Sequence, residues 1–176
     1  MGACPTIQTE RLVLRAFRDD DTDAYFGVMS TPEVRASLYT SDTFDRADAW
    51  HQLAMWLGEW ELRGLGQWAV IERDTDRLVG RAGLHHPARP DWPGVEVGWA
   101  LHPDVWGRGY ATESGRAARD HAFSALAVDT LYSVILPENG PSQAVARRLG
   151  FELRGERILS HFPLKPHGIW ALDRVD

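Results

Sequence analysis

The segment that most limits how this chain can fold runs from residue 95 to about residue 126. Residues 95–101 (VEVGWAL) read as a strand, with Glu96 pointing opposite to Val95 and Val97. The strand stops at His102-Pro103-Asp104, and Trp106-Gly107-Arg108-Gly109-Tyr110-Ala111 then opens a helix that continues to about residue 126. Along that helix Ala111, Gly115, Ala118 and Ala122 share one side, and side chains that small let a helix lie close on a sheet. At its start the glycines let main chain approach an anion. The first N–H groups of a helix are unpaired and carry partial positive charge behind them. The turn therefore reads as a pyrophosphate site.

Two better-known phosphate loops do not fit. No Gly-x-x-x-x-Gly-Lys-Ser/Thr occurs, which excludes a P-loop NTPase. The dinucleotide fingerprint needs a glycine or alanine three residues after Gly109, where Thr112 stands, and no βαβ unit opens the chain.

Around this segment the pattern predicts mixed structure. Residues 11–17 (RLVLRAF) alternate as a strand. The acidic run 19–23 starts a short helix over about 20–29, and Thr31-Pro32 starts another. Residues 45–63 form a longer helix with Trp50, Leu53, Leu57 and Trp60 on one face and Trp56 beside them. Residues 67–72 and 78–85 form a hairpin, and the proline-rich stretch 87–94 a loop. A strand over 131–136, a short helix over 141–149 closed by Gly150, and two final strands complete the chain. The expectation is one domain, residues 1–176, of α/β (mixed α+β) class with helices on both faces of a sheet.

Composition narrows the function classes. With 19 Lys and Arg against 25 Asp and Glu the formal charge is −6, unsuited to nucleic acid, which demands a basic surface. The single cysteine, Cys4, permits neither an internal disulfide nor a cysteine zinc site, and no histidine spacing matches a metal site. No run approaches the ~18 apolar residues of a membrane span, and the first residues lack a signal-peptide pattern. The expected setting is the cytoplasm, without membrane or metal. Residues 1–6 satisfy the loose N-myristoylation pattern, which is taken as chance.

The string Trp106 to Glu113 (WGRGYATE) resembles the acetyl-CoA site of the GNAT acetyltransferase superfamily. The family pattern is Gln/Arg-x-x-Gly-x-Gly/Ala, and Trp106 departs from it at the first position. That departure resembles the branch of ribosomal-protein N-terminal (Rim-type) acetyltransferases. Thr9 to Arg15 resembles that branch's opening strand, and Asn139-Gly140-Pro141-Ser142 with Leu149-Gly150-Phe151 resembles its later elements. The likeness runs from about residue 7 to about residue 160.

The resemblance implies a twisted, mostly antiparallel sheet in which two neighbouring parallel strands, 95–101 and 131–136, splay apart around acetyl-CoA. It assigns the backbone of Trp99, Ala100 and Leu101 to the pantetheine arm. Gly107, Arg108, Gly109, Tyr110, Ala111 and Thr112 fall to the pyrophosphate, and Asn139 to the end of the pantetheine. An attacking amine must be neutral, so a base helps. Glu96 is the first candidate, its alternative being a pairing with an arginine such as Arg81. His161 is the second candidate. Many relatives use a tyrosine seven residues after the asparagine as acid; Ala146 stands there, and Ser142 takes the role. Glu113 is read as a helix-dipole residue.

The acceptor stays open between a protein α-amine, a polyamine, an amino acid and an aminoglycoside-like drug. The region 50–68 and the loop 87–94 are expected to line its side, with Trp56, Trp60 and Trp92 offered to a cation. A monomer and a homodimer both fit. The competing readings are a non-catalytic cofactor-binding module of the same fold and a nucleotide-binding protein of another.

Overall fold

The computed structural model describes residues 3–38 and 43–174, so the start of the N-terminal pattern, Met1-Gly2, lies outside the described residues. The sheet begins with β1 (Ile7–Gln8) and β2 (Leu12–Arg15). A 3-10 turn over Asp19–Asp21 leads into α1 (Thr22–Met29), followed by α2 (Pro32–Leu38) and α3 (Arg46–Arg63). The hairpin is β3 (Gln67–Glu72) and β4 (Arg77–His85). Then come β5 (Glu96–Leu101), α4 (Tyr110–Ala125), β6 (Thr130–Ile135), α5 (Gly140–Arg148), β7 (Glu152–Arg157) and β8 (His167–Asp173).

The eight strands form one sheet in the order β1-β2-β3-β4-β5-β6-β8-β7. Every neighbouring pair is antiparallel except β5 and β6. This is the mixed sheet with one parallel pair that the sequence pointed to. The parallel pair is minimal: Glu96 faces Tyr132, Tyr132 N–H donates to Val95 O at 2.9 Å, and no further register partners follow. Beyond that vertex the strands diverge.

Helices cover both faces because β3 and β5 are apolar on both. Trp68 and Val70 join the cluster under α4 and α5, while Ala69 and Ile71 join the one under α1, α2 and α3. α4 lies close on the sheet through its small side. A Cβ on Gly115 would come within 2.8 Å of Leu149 Cδ1 and 3.4 Å of the Trp99 ring.

Two sequence expectations shift. In α3 the buried face is Ala49, Leu53, Trp56 and Trp60, whereas Trp50 and Leu57 are exposed. The physical reason is that both ends of the face are set by tertiary partners. Trp60 packs against Trp68, ring centroids 4.6 Å apart, and Trp56 meets the His85 ring at 5.1 Å. The Trp50 indole instead donates to Asp19 at the surface (2.9 Å). The strand β1 was not anticipated; two residues are too short for a periodic signal.

Candidate active site

The main chain is left open to an anion where β5 hands over to α4. Gly107 and Gly109 have φ of +76° and +82°, a region that side chains disfavour. A Cβ on Gly107 would meet nothing in the chain, so the glycine answers to its own φ and to whatever approaches from outside. Asp45 caps α3 and Asn139 caps α5 through their side chains, but α4 starts at Gly109 with no side-chain cap. Its first N–H groups are therefore free of a competing acceptor.

The turn is braced from behind. Arg11 donates to Arg108 O (2.7 Å) and pairs with Glu113 (2.7 Å), which also accepts from Thr9 Oγ1 and Arg11 N–H. Glu113 thus ties the helix start to the N-terminal strands, a partnership spanning about a hundred residues that no local pattern announces. Tyr110 is buried and donates to Glu72 at 2.8 Å.

A cleft of about 1510 Å³ opens beside the turn and runs between the splayed strands. Trp99, Ala100, Leu101, Gly107, Gly109, Tyr110, Ala111, Thr112, Asn139 and Ser142 all line it. Arg108 does not; its side chain turns to Glu72 at 3.4 Å. Leu101 O already accepts from the Trp106 indole (2.7 Å). The Asn139 amide accepts from Ser142 N–H and donates to Ser37 O, tying α5 to α2. Arg116 and Arg148 add positive charge to the rim.

Strand alternation separates the candidate acid and base. Val97, Trp99 and Leu101 pack with the α4 cluster, so Glu96, Gly98 and Ala100 face the α1–α3 side. Trp99 Nε1 reaches Ser142 Oγ at 3.3 Å on one face. On the other, Glu96 sits at the vertex, where its carboxylate accepts from Val134 N–H (3.2 Å). That bond satisfies a strand N–H beyond the vertex. Burial pushes the Glu96 carboxyl up to about 7, against the opposing pull of His85, the Val134 N–H and Arg81. No ion pair joins Glu96 to Arg81, whose guanidinium donates to Gln67 Oε1 (3.0 Å) and lies over the Trp56 ring.

His161 is exposed, in the segment 158–166, with its ring against Phe162 (4.5 Å). Partial desolvation of the ring first, then the neighbouring Arg89 and His85, lower its pKa. Neither His161 nor Glu96 lines the cleft; both lie within electrostatic reach of His85. Ser160 donates to Asp91, which ties this segment to the loop 87–94. The three tryptophans offered to a cation part company. Trp60 belongs to the core and donates to Gln67 O, Arg81 already covers the Trp56 face, and Trp92 stands beside His85 (6.4 Å). Among the described residues, the buried donors Trp56 Nε1, Arg81 Nε and Trp92 Nε1 make no hydrogen bond of ordinary geometry, which marks this side as polar and incompletely satisfied.

Sequence reading missed the partner of His85. Glu59, on α3, places both carboxylate oxygens 3.0 Å from His85 Nδ1. Among the described residues, no helix is long and apolar enough to cross a membrane, and no group of His, Cys, Asp and Glu is arranged to hold a metal ion.

The family described as acetyltransferase (GNAT) domain matches residues 11–152. The chain is 30% identical over 153 residues to the uncharacterized N-acetyltransferase YoaA of Bacillus subtilis (strain 168), covering 86% of this chain and 85% of that one. The crystal structure of an acetyltransferase from Agrobacterium tumefaciens str. C58 superposes with a TM-score of 0.84 at 32% identity, covering 99% and 97%. The ribosomal-protein-S5-alanine acetyltransferase from Vibrio fischeri shares the fold, with a TM-score of 0.78 at 16% identity over 98% of each chain.

Proposed function

The chain belongs to the GNAT acetyltransferase family, and from that premise we propose that it moves an acetyl group from acetyl-CoA to a primary amine by direct attack in a ternary complex. The observation that carries this reading is the uncapped start of α4 opening onto a cleft between two splayed strands. A long anionic co-substrate fits that arrangement: glycine main chain and free N–H groups at one end, Arg116 and Arg148 on the rim. Acetyl-CoA supplies a thioester carbonyl and a thiolate leaving group.

The protein's own groups do the rest. Gly107, Gly109 and the first turn of α4 hold the pyrophosphate, and the backbone of β5 from Trp99 to Leu101 holds the pantetheine arm. Asn139 keeps α5 in place beside it. Glu96 receives the proton of the acceptor ammonium, directly or through water. A carboxyl raised to about 7 is matched to that task near neutrality. Ser142 has its oxygen fixed by Trp99 and its O–H free to donate toward the leaving sulfur. Base and acid work from opposite faces of the sheet, so the acceptor approaches from the α1–α3 side. His161, exposed on that side, is the second candidate for the base.

The test is a screen for thiol released from acetyl-CoA, with N-terminal peptides, polyamines, amino acids and aminoglycosides as acceptors. The expected result is turnover with one class, strongly reduced but still measurable in Glu96→Gln and reduced in Ser142→Ala. Calorimetric binding of acetyl-CoA without turnover on any acceptor would instead identify a cofactor-binding module.

A further inference from the structure

Glu96 has a register partner across the sheet, and it is His85. The His85 Nδ1 atom lies 3.0 Å from both oxygens of Glu59, and the two side chains are 23% and 12% exposed. The ring plane is set from both sides: Trp56 meets it edge-on at 5.1 Å and 88°, Trp92 at 6.4 Å and 73°. A carboxylate bound to Nδ1 fixes the orientation of an imidazole and leaves Nε2 for another partner. The charged groups around the pair are Glu59 from α3, Arg81 from β4, Glu96 from β5, Arg89 from the loop 87–94 and His161 from the segment 158–166.

We propose that Glu59 and His85 are positioning residues that hold an imidazole beside Glu96 and so set its readiness to accept a proton. The inference rests on the reading of Glu96 as the base. Glu59 fixes the ring, the two tryptophans keep it from turning, and the β4–β5 register places it next to the carboxylate at the vertex. Like Glu96, neither Glu59 nor His85 lines the cofactor cleft, and the β4–β5 register that sets His85 beside Glu96 is the route by which the pair acts.

The experiment is a carbon NMR titration of protein labelled at the glutamate carboxyl carbon, with the Glu96 and Glu59 signals assigned from Glu96→Gln and Glu59→Gln. His85→Gln is expected to raise the Glu96 midpoint by about half a unit or more, and His85→Arg to bring it back. An unmoved midpoint in folded His85→Gln overturns the proposal. Should that variant not fold, Glu59→Gln tests the same positioning through the imidazole nitrogen signals of His85. Those are expected to change from one ring-nitrogen pattern to a mixture, and an unaltered pattern overturns it. The acid limb of kcat/KM separates the two readings. A midpoint that moves while the limb stays in place upholds the positioning pair and removes Glu96 as the base.

Discussion

The indole N–H of Trp99 donates to the hydroxyl oxygen of Ser142 at 3.3 Å, joining β5 to the start of α5 across the open end of the splay. An indole only donates, so the serine keeps its own proton for whatever lies in the cleft. Trp99→Phe keeps the ring against α4 and removes this donor. It is expected to lower kcat several-fold with little change in the KM for acetyl-CoA. Ser142→Ala should lose about as much, and the double variant little more than either alone, because both act on one oxygen. A fully additive pair would show that the bond does not orient the serine.

Glu96 carries a pH signature in two measurements. With its carboxyl near 7, kcat/KM is expected to rise with pH through that value, and the limb should vanish in Glu96→Gln. Stability runs the other way. A carboxyl raised on folding from 4.5 to about 7 binds more protons in the native state. Its contribution is whole below about 4.5 and is lost as pH rises through about 7. Glu96→Gln, which can still accept from Val134 N–H, should therefore be the more stable protein above pH 7. The gain is on the order of 1–3 kcal/mol in urea unfolding and disappears at low pH.

The turn glycines separate strain from ligand approach. Gly109→Ala places a Cβ at φ +82° and 3.4 Å from Arg11 Nη2; Gly107→Ala places one at φ +76° in open space. Each left-handed alanine costs roughly 1–2 kcal/mol, which for a chain of this length is a fall in Tm of about 3–6 °C. Acetyl-CoA affinity by calorimetry is expected to drop further, by about tenfold or more. Equal affinity in Gly107→Ala and the native protein would place the pyrophosphate elsewhere.

Cys4 should stay silent in a thiol assay. Burial pushes its thiol up to about 12, and it packs against the core beside β1. Ellman's reagent at pH 8 is expected to react slowly with native protein and with one thiol per chain after denaturation. Thiol counted in the acceptor screen then comes from coenzyme A alone. Prompt reaction in the native state would contradict the buried placement.

What could be read from the sequence was local. The glycine turn, the small side of α4, the 67–85 hairpin and the short helix closed by Gly150 announce themselves within a few residues; that Asn139 caps this helix does not. The face of α3 was read partly wrong because periodicity cannot tell Trp50 and Leu57 from Ala49 and Trp56; what lies across the gap decides. At the site the same divide appears. Glu96 and Ser142 could be named as candidates from their places in the family's pattern. The contacts that give them character, Trp99 to Ser142 over 43 positions, Glu59 to His85 over 26 and Glu96 to Val134 over 38, depend on how distant segments meet.

A sheet joined at its middle by one register pair is, mechanically, two leaves on a short spine. The leaf β1–β5 and the leaf β6–β8 each carry their own ladders, and α4 and α5 meet over the seam between them. A strand-like ligand laid in the gap would stitch the leaves together by main-chain bonds. Amide exchange should then slow on both β5 and β6 at once, and the donor site would act as a clasp for the whole fold.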